Sequence, residues 1–89
     1  MLIVELAFTE HPERLAARPA HRQVLARLHA DGRLIAAGPW ADDTGAMLIF
    51  DVDRPGLDAI MDADPYYNTP GVRVHDIREW TLIVGPNAS

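Results

Sequence analysis

The chain has 89 residues, enough for one domain, and a formal charge of −5 from 8 basic and 13 acidic residues. It contains no cysteine and no lysine, and its only serine is Ser89, so thiol and Ser-His-Asp acyl transfer, Schiff-base chemistry, a phosphate-loop lysine and thiolate-held metals are excluded. The acid excess argues against a nucleic-acid backbone as partner, and what is left for catalysis is proton transfer by histidine and carboxylate. The opening MLIVELAFTE meets Glu5 within a few residues and lacks a basic leader, so it reads as a strand and not as a signal peptide. No apolar run approaches the ~20 residues that span a bilayer, so no membrane association is expected and the cytoplasm is the expected compartment.

Leu2 to Phe8, rich in β-branched and aromatic residues, predicts the first strand. Thr9 to Ala17 is polar and holds Pro12, which predicts a loop. A helix is expected from Arg18 to about Ala30, with Pro19 at its first position, where a missing N–H costs nothing, and with Val24, Leu25 and Leu28 as its apolar stripe. Asp31-Gly32 ends it. Arg33 to Ala37 reads as the second strand, closed by Gly38-Pro39, and Ala46 to Val52 as the third, with a hairpin loop from Trp40 to Gly45 between them. Asp53 is a good N-cap for a second helix, Arg54 to about Ala63, whose stripe is Leu57, Ile60 and Met61. Asp64-Pro65 stops that helix, because proline disfavours helical backbone in the residue before it. A turn through Tyr66 to Gly71 leads to a long last strand, Val72 to Val84, and residues 85–89 form a frayed tail of the single domain spanning 1–89.

The order β-α-β-β-α-β is that of an α+β, ferredoxin-like protomer, with a four-stranded antiparallel sheet and both helices on one face. The second strand, LIAAG, and the third, AMLIF, are apolar on both sides, whereas a strand with one wet face should alternate. A second copy of the chain is the simplest cover, so a homodimer packed sheet to sheet is expected.

Strand and helix directions place the start of the first helix at the same end as the finish of the second. His21 continues the inward stripe of the first helix, four residues before Leu25, and Asp64 continues that of the second, four after Ile60. The two polar residues that interrupt apolar faces therefore meet, beside the Gly38-Pro39-Trp40 exit of the second strand. A carboxylate beside an imidazole fixes its tautomer and raises its pKa, while the positive end of a helix lowers it, so the balance would put His21 near neutrality, suited to general acid or base work. The same pair read structurally is only a buried hydrogen bond. Arg18 and Arg22 flank His21 and would clamp an anionic substrate if they are not simply solvated. Tyr66 and Tyr67 line the mouth of the site or pack the turn, and Trp40 and Trp80 read as core or interface anchors. His29 reads as structural near a helix end, His11 as solvated, and the facing of His75 in the last strand is ambiguous. Without a His-x-His or His-x-x-x-His pair, no metal and no other cofactor is expected.

Arg18-Pro19-Ala20-His21, Asp31-Gly32-Arg33-Leu34, Ala37-Gly38-Pro39, Asp62-Ala63-Asp64-Pro65-Tyr66 and Gly71-Val72 together resemble the YciI-like (YCII-related) family over almost the whole chain. The resemblance implies a dimeric α/β barrel and a histidine–aspartate active site, matched here by His21 and Asp64. Arg18, Gly38, Pro39 and Tyr66 are expected around the substrate. One branch of the family resembles a dehydrochlorinase, which implies a lyase- or isomerase-like reaction on a small aromatic or anionic molecule. The alternative is a non-catalytic metabolite-binding or dimeric accessory module, and the fold alone does not decide between them.

Overall fold

The computed structural model describes residues 1–86, so the last part of the expected tail, 87–89, lies outside the described residues. The elements are β1 (Leu2–Phe8), α1 (Pro12–Ala30), β2 (Leu34–Pro39), β3 (Gly45–Phe50), α2 (Arg54–Ala63), a short 3-10 turn (Pro65–Asn68) and β4 (Val72–Glu79). The strands form one sheet in the order β2-β3-β1-β4, and every neighbouring pair is antiparallel. This is the ferredoxin-like α+β protomer.

Alternation in the two central strands builds the floor of the core. Leu2, Val4 and Leu6 of β1 point inward and pair across the ladder with Phe50, Leu48 and Ala46 of β3. Leu57 and Ile60 of α2 and Leu28 of α1 close over them. Helix α2 starts as its residues dictate: the Asp53 carboxylate accepts from the Gly56 N–H at 2.8 Å, and Pro55 sits in the first turn. Gly45 lets β3 begin tight against β1, since a Cβ there would run into the Leu6 carbonyl.

Several boundaries differ from the sequence reading; β3, expected over Ala46 to Val52, is Gly45–Phe50, and three others bear on the site or the sheet. Helix α1 begins at Pro12, not Arg18, so the expected loop is helical, Pro12 takes the N-terminal proline position and Pro19 lies inside the helix. Proline there removes the hydrogen bond to the Leu15 carbonyl, but Pro19 and Leu15 are both exposed and water can replace it. Strand β2 runs on through Gly38 and Pro39, which an edge strand tolerates because one side of its backbone needs no partner. Strand β4 ends at Glu79 rather than Val84. Its last ladder contacts join Trp80 to Met1, and beyond them no neighbouring strand accompanies it, so Ile83 and Val84 stand exposed.

The second face of the sheet is apolar where β1, β3 and β2 meet. Ile3 pairs with Ile49, and Ala36 of β2 adds to the same patch. Ile3, Met47 and Ile49 remain only half-buried in the single chain. Toward β4 this face turns charged, with Arg78 beside Ile3 and Asp76 beside Glu5.

Candidate active site

One face of α1 carries Arg14, His21 and Leu28, spaced seven residues apart and all buried. His21 is therefore in the middle of the helix, not in its first turn, and the helix N-terminus is too far away to act on its ring. Asp64 follows the last residue of α2 in an extended conformation and caps the next turn. Its Oδ1 accepts from the Tyr66 N–H at 3.1 Å, and its Oδ2 lies 2.7 Å from His21 Nδ1. The carboxylate is held from both sides, and the two residues are 6% and 3% exposed.

The turn that Asp64 caps also packs the imidazole. The Tyr66 ring stacks on His21 at 4.0 Å with an interplanar angle of 9°, and Tyr67 meets it edge-on at 5.4 Å. Burial lowers the His21 pKa from its ordinary 6.5, and the hydrogen bond and charge of Asp64 recover only part of that. At neutral pH the ring is neutral, Nδ1–H donates to Asp64, and Nε2 carries the free lone pair. Burial, then the charge of Asp64, raises the Tyr67 phenol, which stays protonated; its hydroxyl has no hydrogen-bond partner among the described residues.

A cavity of about 630 Å³ opens between α1 and the inner side of β2 and β3, and edge strand β2 forms its rim. His21, Arg18, Gly38, Pro39 and Tyr66 all line it. Asp64 does not; it is bonded to two residues that do, His21 through its imidazole and Tyr66 through its backbone N–H. Leu6, Leu25 and Leu48 supply apolar wall, which suits a small organic molecule.

Sequence reasoning passed over Arg14, which also lines the cavity and is 6% exposed. Its guanidinium lies 4.5 Å over the Phe8 ring, and Nη2 donates to Asp43 Oδ2 at 3.0 Å. Burial pulls its pKa down, but Asp43 and Tyr66 more than offset this and it remains cationic. Arg18 Nη2 reaches the same Asp43 oxygen at 3.4 Å. The seven-residue spacing to His21 was the available signal, hidden by placing the helix start at Arg18.

The remaining histidines stand apart from the pair. His29 Nδ1 contacts the Leu34 carbonyl oxygen at 3.0 Å, His11 stands at the N-cap position of α1 with an exposed side chain that makes no cap hydrogen bond, and His75 is exposed on β4. Trp40 and Trp80 are 43% and 42% exposed, so neither anchors the core of the single chain. Among the described residues no three His, Asp or Glu side chains converge to hold a metal ion, and no helix is long and apolar enough to cross a membrane.

Known proteins place this geometry in context. No curated protein matches the chain. Among solved structures it is similar to the 5-chloro-2-hydroxyhydroquinone dehydrochlorinase of Burkholderia phenoliruptrix AC1100 in complex with 2,5-dihydroxybenzoquinone, at 17% identity and a TM-score of 0.57, over 91% of this chain and 94% of that one. At that identity the likeness speaks for the fold. The family model described as the YCII-related domain matches residues 1–81, nearly the whole chain, and the matched span includes both His21 and Asp64: the chain belongs to the YCII-related family.

Proposed function

We propose that the protein is a small-molecule lyase or isomerase in which His21 moves a proton and Asp64 holds the imidazole that moves it. The observation that carries this reading is the buried 2.7 Å contact between His21 Nδ1 and Asp64, with the same imidazole lining a cavity of about 630 Å³. A substrate C–H placed at Nε2 gives its proton to the ring lone pair. The imidazolium so formed keeps its Nδ1–H on the Asp64 carboxylate, which stabilises the charge and prevents the ring from turning. The electron pair left on carbon forms a new π bond. If a halide on the neighbouring carbon departs, the net result is loss of HX; if the proton returns at another atom, it is isomerisation. Neither route requires a covalent enzyme intermediate, consistent with the absence of cysteine, lysine and internal serine. Membership in the YCII-related family and the likeness to a dehydrochlorinase support the elimination route.

The test uses 5-chloro-2-hydroxyhydroquinone, the compound named for the similar protein, beside a panel of other small halogenated and enolisable molecules, with chloride release and product formation followed together. His21→Asn keeps a donor near Asp64 but removes the base, and turnover of whichever compound reacts should fall by about 10²–10⁴. Full turnover by the variant would sink the proposal.

The same reading includes a homodimer joined through the second face of the sheet, supported by the half-buried Ile3, Met47 and Ile49. Light scattering should give twice the chain mass, and Ile49→Glu should return the monomer. A wild-type monomer at micromolar concentration would contradict it.

A further inference from the structure

The cavity carries a charge opposite to that of the chain. The protein has 13 acidic and 8 basic residues, yet Arg14, Arg18 and Arg22 line this space against Asp43 alone among the carboxylates. Arg14 differs from the other two. It is nine-tenths buried, and its Nε and Nη1 have no hydrogen-bond partner among the described residues, although buried guanidinium donors are normally satisfied. Phe8 beneath its plane and the phenol of Tyr66 beside it hold the group in place, so it has little freedom to seek other partners. Its carboxylate partner, Asp43, also serves Arg18. That single carboxylate stands against two cations.

Asp43 is built differently from the arginine it meets. Its side chain is 45% exposed, it lies in the loop between β2 and β3, and its backbone takes the left-handed conformation, φ 58°, that aspartate tolerates better than most residues. It can swing into water; Arg14 cannot. We propose that Arg14 and Arg18 form the anion-receiving end of the cavity, that its ligand is a small carboxylate on an apolar or aromatic body, and that the Asp43 carboxylate occupies the ligand's place in the free protein. The planar guanidinium matches a planar carboxylate, and Leu6, Leu25 and Leu48 take the body. Arg14 and His21 lie seven residues apart on one helix face, about 10 Å of axial rise between their backbone positions, and both line the same cavity. This inference rests on the reading of His21 as the base of the same cavity, but its test requires no turnover.

The probes are cinnamate and its neutral isostere cinnamamide, titrated into the whole protein by calorimetry and followed by NMR. The wild type should bind cinnamate about tenfold more tightly than cinnamamide, a difference of about 1.4 kcal/mol. Arg14→Met should reduce that preference to less than about twofold, and Asp43→Asn should raise the affinity for cinnamate about fivefold while leaving cinnamamide unchanged. Should Arg14→Met fail to fold, Asp43→Asn and Arg14→Lys carry the test, the latter keeping the preference at reduced strength. Equal binding of acid and amide by the wild type, no binding of either at millimolar concentration, or weaker cinnamate binding in Asp43→Asn overturns the inference. Any of these beside a dead His21→Asn enzyme would remove the carboxylate site and leave the acid–base reading standing. A live His21→Asn enzyme with an intact acid preference would do the reverse.

Discussion

The two helices lie over the same sheet and use it in opposite ways. Helix α2 buries Leu57 and Ile60 directly on β1 and β3, starts with an aspartate cap and leaves its polar residues outside. Helix α1 buries Arg14, His21 and Leu28, so two of the three groups it turns inward are ionisable, and a cavity remains between it and β2. A helix with an apolar inner face is held by packing and can be dense. One with a polar inner face must satisfy its groups one by one, and here the satisfying partners, Asp64 and Asp43, come from distant segments of the chain. The side of the fold less favourable to stability is the side that carries the proposed acid–base pair.

This contrast can be broken by mutation, and the largest effect belongs to the pair. Asp64→Ala leaves the buried Nδ1–H of His21 without its acceptor and uncaps the turn that carries Tyr66, and urea unfolding should show a loss of about 2–5 kcal/mol. Asp64→Asn, which keeps one of the two acceptor oxygens and turns an amide NH2 toward the other partner, should cost less. On the other side, Leu57→Ala, fully buried in the wild type, should cost about 2–4 kcal/mol through its cavity alone and leave the ionisation of His21 unchanged. If the two alanine variants disturbed the imidazole equally, the separation of the two sides would fail.

A smaller effect is expected at Pro19, which lies inside α1 without an N–H to give to Leu15. Pro19→Ala restores that bond in the folded state but also frees the unfolded chain, so a net gain of about 1 kcal/mol is expected, read as a rise in Tm. A fall in Tm would mean that the proline shapes α1 in a way its exposure does not suggest. The smallest effect is the pH dependence. His21 has its pKa lowered in the folded state, so on acidification the unfolded chain takes up its proton first. The stability this group contributes is whole above pH 6.5 and is lost as the pH falls through the lower, folded value. The decline in Tm below pH 6.5 should be shallower in His21→Asn; an unchanged slope would assign the acid sensitivity to other groups.

How much of this was legible in the sequence follows the same division. Helix α2, its cap and β1 could be read directly because periodicity, capping and proline placement agree there. The approach of His21 to Asp64 followed from element directions, which survive an error of nearly two turns in a helix boundary. The start of α1 did not, because two prolines compete for the first helical position and only tertiary packing of Arg14 and His21 decides for Pro12. That error hid Arg14 and assigned to the helix dipole a shift that burial causes. The end of β4 was unreadable for another reason: Trp80 to Val84 has strand composition, and what it lacks is a neighbour, which no local pattern records.

The central claim is that His21 is a neutral base, with its proton on Nδ1 toward Asp64 and its lone pair on Nε2 toward the cavity. Imidazole ¹⁵N NMR followed through acid pH tests it without a substrate. We expect the His21 signals to report the Nδ1–H tautomer at neutral pH and a titration midpoint below 6.5, with loss of the fixed tautomer in Asp64→Ala if that variant remains folded and in Asp64→Asn otherwise. A proton on Nε2, or a midpoint at or above 6.5, would contradict the account.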